Sequence, residues 1–176
     1  MTRTIAGLAF AVLLAFGACT PTQPAQVIPS PMVTHAFAGG CAGTVLTDAE
    51  PPVWAQGGFN QVKGTPWGVP WALGTGGQAV AFVFARQLVA GSSPRADGTN
   101  NKVLWVAKGS PSNFLVAGIP PAGTQPAVTV NGGPSIVDAP AAGCWTFRLT
   151  WGAAEATSTI NLEVLPAGSV PPVQAS

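Results

Sequence analysis

The chain has 176 residues, of which 47 % are apolar and only 7 % charged, with 22 glycines, 18 prolines and a formal net charge of +1. So few charges cannot assemble the basic face that nucleic acid or a polybasic membrane contact needs. The apolar content also excludes disorder through charge, and abundant Gly and Pro disfavour helices, so a β-rich body with a Thr, Ser, Asn, Gln, Gly and Pro surface is expected.

The N-terminus reads as an export signal over residues 1–18. Arg3 supplies the positive start, and Ile5 to Phe16 is an apolar run too short to cross a bilayer. Gly17 and Ala18 then lead into Cys19. The string Phe16-Gly17-Ala18-Cys19 resembles the lipobox of bacterial lipoproteins, with Phe16 standing where that family usually has Leu. The resemblance implies that Cys19 is lipidated and becomes the first residue of a mature chain held in the cell envelope. Ala15-Phe16-Gly17 also fits an ordinary signal peptidase cutting before Ala18, which leaves plain secretion open. Without Arg3, the seven basic residues fall to six against six acidic ones.

Cysteine parity bears on the same choice. Three cysteines leave one over in an oxidising compartment, and lipidation of Cys19 leaves Cys41 and Cys144 as a pair. Two buried free thiols are the alternative. With no closely spaced cysteines and His35 as the single histidine, no metal site and no cofactor are expected.

Residues 19–35 are proline-punctuated and carry no Asp, Glu, Lys or Arg, the composition of an extended tether. Residues 166–176 have the same character and read as a flexible tail, which leaves 36–165 for the folded domain.

Within that domain, β patterns alternate with turn signals. Thr44–Leu46 and Val69–Leu73 are short candidates. Ala79–Arg86 alternates with apolar residues on both faces, as a strand buried on two sides does. Lys102–Lys108 sets Val103, Trp105 and Ala107 against Leu104 and Val106. Asn113–Ile119 and Ala127–Val130 follow, the latter closed by Asn131-Gly132-Gly133. Cys144–Trp151 places Trp145, Phe147, Leu149 and Trp151 on one face and Thr146, Arg148 and Thr150 on the other. Thr157–Leu165 points Ile160, Leu162 and Val164 inward and completes a hairpin with it. About seven to nine short strands at this spacing predict an all-β, antiparallel sandwich.

The turn from Asp138 through Gly143 to Trp145 resembles the corner before the penultimate strand of immunoglobulin-like domains. There an aromatic residue, usually Tyr, bonds back to the backbone. Here the indole N–H of Trp145 is the available donor. Together with Val69–Ala72, Asn100–Val106, Pro134–Asp138 and Leu149–Trp151, this resembles uncharacterised exported bacterial lipoproteins with an immunoglobulin-like domain. The resemblance implies the fold and the address but transfers no activity and no site residues. Cys144 lies on the face opposite Trp145, so a Cys41–Cys144 bridge would staple the N-terminal segment to a sheet instead of crossing the core.

Catalytic machinery is not legible. The carboxylates Asp48, Glu50, Asp97, Asp138, Glu155 and Glu163 are scattered, and no nucleophile elbow, Walker loop or His-Glu-x-x-His occurs. Gly74–Gly77 and Arg95–Gly98 read as turns. The distinctive supply is six tryptophans. Trp105, Trp145 and Trp151 sit at core positions of strands, whereas Trp54, Trp67 and Trp71 lie in the Gly/Pro-rich stretch 51–77 beside Phe59. Those three either contact a glycan or an envelope protein, or close the core under a long wrapped loop. The expectation is a non-catalytic binding or structural module, with membrane contact through its lipid and no nucleic-acid partner. A hydrolase with carboxylates brought together from distant loops remains the alternative.

Overall fold

The computed structural model describes residues 36–60, 65–109, 111–152 and 156–171. The signal 1–18, Cys19, the tether 19–35 with His35, Glu155 and residues 172–176 lie outside the described residues.

The domain is an all-β sandwich. Eleven strands are present among the described residues: β1 Ala36–Phe37, β2 Leu46–Thr47, β3 Trp71–Leu73, β4 Ala79–Val83, β5 Leu88–Val89, β6 Lys102–Ala107, β7 Leu115–Ile119, β8 Val128–Asn131, β9 Gly133–Ile136, β10 Gly143–Trp151 and β11 Ala156–Leu165. They form a six-stranded sheet in the order β1-β2-β3-β4-β6-β9 and a five-stranded sheet in the order β5-β11-β10-β7-β8. Every segment expected from alternation overlaps a strand, Thr44–Leu46 only at Leu46 and Val69–Leu73 from Trp71 onward. Three further strands, β1, β5 and β9, match no expected segment, and the total of eleven is above the seven to nine expected. The first two are two residues long, and β9 contains Pro134, so none carries a period-2 signal long enough to read.

The connectivity is immunoglobulin-like. β4, β6 and β9 lie side by side as strands A, B and E do, and β11, β10 and β7 as G, F and C. β8 extends the second sheet in the position of C′. The chain crosses between sheets after β4, and β5 then pairs in parallel with β11, Val164 against Leu88 and Leu165 against Val89. This crossing corrects the expected Ala79–Arg86 strand. Arg86 adopts a left-handed φ of 61°, which ends the first sheet's pairing and hands the chain to the second.

Both sheets contribute to one core. From the first come Ala79, Ala81, Val83, Val103, Trp105 and Ala107; from the second, Val116, Trp145, Phe147, Leu149, Ile160, Leu162 and Val164. Trp105 packs on Phe147 at 5.3 Å between ring centroids. Trp145 is fully buried and donates its indole N–H to the Ala141 carbonyl at 2.9 Å, the back-bonded corner expected from its position. Gly118 on β7 makes room for this layer, since a Cβ there would stand 2.9 Å from the Phe147 ring.

The expected tail begins on the domain. Ser169 N–H bonds the Pro166 carbonyl at 3.1 Å, and Pro171 is buried, so residues 166–171 are held as a turn against the fold.

Candidate functional site

The three loop tryptophans do not form an exposed patch. Trp67 and Trp71 are buried, 5 % and 7 % exposed, and only Trp54 keeps partial exposure. They join Ala55, Val80 and Phe82 in a second, smaller core on the outer face of the first sheet, with Phe59 and Val69 packed alongside. Phe59 lies 4.7 Å from the Phe82 ring and 5.2 Å from that of Trp67. Trp71 also donates its indole N–H to the Ala49 carbonyl at 2.7 Å. This corrects the reading of Trp67 and Trp71 as ligand contacts. β4 is apolar on both faces, so the stretch after β2 folds over it and spends its aromatics on covering Val80 and Phe82.

The cysteines pair as parity suggested. Cys41 and Cys144 form a disulfide with Cα atoms 5.9 Å apart and a sequence separation of 103. The N-terminal segment is stitched to β11 beside it. Glu163 N–H bonds the Gly39 carbonyl at 2.8 Å, Cys41 N–H bonds the Asn161 carbonyl at 3.3 Å, and Asn161 N–H bonds the Thr44 hydroxyl at 2.9 Å. The segment thus lies along the edge of β11, with Gly40 bridging antiparallel to Leu162, and the disulfide fastens it there from the face of Thr146 and Arg148.

Polar side chains inside the fold serve its corners. Asn101 is fully buried at the start of β6. Its amide accepts from Val89 N–H at 3.0 Å and donates to the Val89 carbonyl at 2.8 Å, standing in for a neighbouring strand beside β5. Asp138 gathers the Ser93 N–H at 3.0 Å and the Ser93 hydroxyl at 2.7 Å, which ties the 91–94 loop to the turn before β10.

Four carboxylates have separate local partners. Glu50 accepts from Gln56 at 3.1 Å, Glu163 from Gln87 at 2.8 Å, Asp138 from Ser93, and Asp97 from Arg95 at 2.9 Å. Asp97 also accepts from the Thr99 hydroxyl at 2.7 Å and the Thr99 N–H at 3.0 Å. The Thr99 hydroxyl and N–H, with Arg95 behind them, hold its carboxyl below the ordinary range. Among the described residues no group of three or more His, Cys, Asp or Glu could hold a metal ion.

One groove stands out on the side of the sandwich where β8 passes directly into β9. Its volume is about 780 Å³, and its apolar wall includes Leu104, Val106, Pro111, Phe114 and Leu115, with Asn113 and Asn131 as polar groups. Trp105 also lines it, and the buried Trp105 indole N–H has no hydrogen-bond partner among the described residues. Among the described residues no ionisable side chain lines this groove. A wall of this chemistry accommodates uncharged, partly apolar groups and offers no cation to a phosphate or a carboxylate. Alternation alone did not reveal it, because the groove is made where two sheets part. The one legible signal was the absence of Asp, Glu, Lys, Arg and His from Gly109 to Val137.

Comparison with known proteins adds no family to this picture. No protein-family model, curated protein or solved structure matches the chain. The immunoglobulin-like architecture rests on strand order and register alone.

Proposed function

We propose that the chain is a cell-envelope lipoprotein, lipidated at Cys19, whose immunoglobulin-like sandwich acts as a non-catalytic binding or structural module outside the cytoplasmic membrane. One observation carries the reading. The Cys41–Cys144 bridge accounts for two of three cysteines, and the third follows a short apolar run and two small residues. A disulfide in the body is in keeping with an oxidising compartment. Four carboxylates engaged at separate corners favour a module over a hydrolase, which needs two carboxyl groups about 5–10 Å apart across a cleft. Glycan stacking on the loop tryptophans loses its support with the burial of Trp67 and Trp71. The groove lined by Phe114, Pro111 and Asn131 is the surface better suited to an uncharged partner.

Mass spectrometry of the mature N-terminus tests the anchor. A diacylglyceryl-modified Cys19 is expected, together with a Cys41–Cys144 peptide in a non-reducing digest. An unmodified N-terminus at Ala18 would replace the anchor with plain secretion.

A further inference from the structure

The edge of β11 that faces away from β10 is closed piece by piece. Pairing with β10 uses the backbone groups of its even-numbered residues, so Thr159, Asn161, Glu163 and Leu165 turn theirs to the edge. Three different segments meet them. Thr159 N–H bonds the Thr75 hydroxyl at 2.9 Å, and the Leu165 carbonyl accepts from Ala90 N–H at 2.8 Å just after β5. Residues 38–45 close the middle. There Glu163 N–H bonds the Gly39 carbonyl, the Asn161 carbonyl accepts from Cys41 N–H, and Asn161 N–H bonds the Thr44 hydroxyl.

The three closures are held by different means. β5 is fixed by Leu88 and Val89, both buried, and by the Asn101 amide. Thr75 sits in the short turn from β3 to β4, where its carbonyl accepts from the Ser158 hydroxyl at 2.8 Å. Residues 38–45 contribute no side chain to either core, and Val45 is exposed. Their conformation also resists closure. Ala42 is held at a left-handed φ of 46°, unfavourable for a residue with a Cβ, with Gly39 and Gly43 also at positive φ, 108° and 86°. This turn brings Cys41 to Cys144 of β10, and the covalent bond is the strongest hold on the segment.

We propose that the Cys41–Cys144 bond is a latch, and that the thiol form of the chain folds to the same sandwich with residues 38–45 open and the backbone groups of Asn161 and Glu163 uncovered. Phe37 and Leu46, packed on the core at either end of the segment, keep it beside β11. Closure is an oxidation. The two thiols give up two electrons and two protons to a disulfide oxidant, which leaves as a dithiol, and the S–S bond forms. In the cell this rests on the export reading, since a reducing cytoplasm keeps the thiols and the compartment beyond it supplies the oxidant. The middle of the β11 edge stays open to another strand until the chain has been exported.

Amide hydrogen exchange of the purified full chain, followed by NMR before and after reduction with dithiothreitol, tests this. In the reduced chain the amides of Cys41, Asn161 and Glu163 are expected to exchange at least about tenfold faster. Thr159 and Ala90, bonded at the same edge, should keep their rates, and the tryptophans their near-UV circular dichroism. Unchanged rates at the three amides overturn the proposal. So does equal acceleration at Thr159 and Ala90, or loss of the near-UV signal, because the bond would then hold the sandwich itself. With the bond intact, Thr44→Val should speed exchange at Asn161 alone. Faster exchange at Cys41 and Glu163 as well would make the Thr44 hydroxyl the hold, and overturns the latch. None of these readings depends on Cys19, whose lipidation is decided separately by mass spectrometry of the N-terminus.

Discussion

Replacing Asn101 by Ala isolates a single side chain acting as a strand. Asn101 has no solvent exposure, and its amide satisfies both the N–H and the C=O of Val89, itself 3 % exposed. Truncation leaves two buried backbone groups unpaired, at about 1–3 kcal/mol each. Partial entry of water into the space left behind reduces the sum, giving a loss of about 3–4 kcal/mol. For a domain of this size that lowers the melting temperature by roughly 10–15 °C. Urea unfolding followed by tryptophan fluorescence gives the free energy, and a thermal scan gives the second reading. Asn101→Asp adds a control on the chemistry, because it keeps an acceptor for Val89 N–H but loses the donor and sets a carboxylate near Asp138, 3.4 Å from the present amide nitrogen. Crowding by a like charge and burial both raise the folded pKa of the new carboxyl. That variant should therefore lose stability as pH rises and recover part of it in acid. A loss below about 1 kcal/mol for Asn101→Ala would mean that β5 is held by its pairing with β11 alone. The closed edge at Val89 would then be an incidental contact.

The remaining predictions concern the staple, the corner and the turn. Replacing Cys41 and Cys144 together by Ser opens a loop of 103 residues and should cost up to about 4–5 kcal/mol in the chain-entropy model; equal urea midpoints for variant and wild type would refute that. Trp145→Phe retains most of the ring but strands the Ala141 carbonyl, for an expected loss of about 1–2 kcal/mol, whereas Trp145→Ala should lose about 3–5 kcal/mol by the same denaturation assay. Gly118→Ala pushes a methyl group into Phe147 and should destabilise by about 1–3 kcal/mol, read as a lowered melting temperature. The Asp97 carboxyl, titrated by NMR, should show a midpoint below its ordinary 3.8. Since the folded pKa is the depressed one, its tie to Thr99 is complete above the unfolded pKa and is lost only as pH falls through the folded value. Thr99→Ala should return the midpoint toward 3.8.

Much of the fold could be read from local pattern. Cys144–Trp151 and Thr157–Leu165 alternate cleanly because their outer face meets water, and the structure pairs them in register from Gly143↔Val164 to Trp151↔Ala156. The Trp145 donor and the pairing of Cys41 with Cys144 were also legible, one from the spacing of a corner and the other from an odd number of thiols. The limits were of two kinds. β1, β5 and β9 are too short or too irregular for any period to register, and β5 in particular exists because Asn101, twelve residues further on, supplies a partner to its backbone. Trp67 and Trp71 looked the same in sequence whether they faced a ligand or a sheet, since a loop residue has no periodicity to assign its face.

The sequence by itself determined that the domain is all β, that its central strand β4 must be covered on both sides, and that charge has little part in its surface. It did so because composition and alternation are properties of neighbouring residues. Only the tertiary structure decided what covers β4, how the Asn101 amide meets the backbone of Val89 in β5, and where the sheets part to leave a groove. Those outcomes depend on which strands lie beside one another, and the side-chain alternation of a single strand is blind to its neighbour.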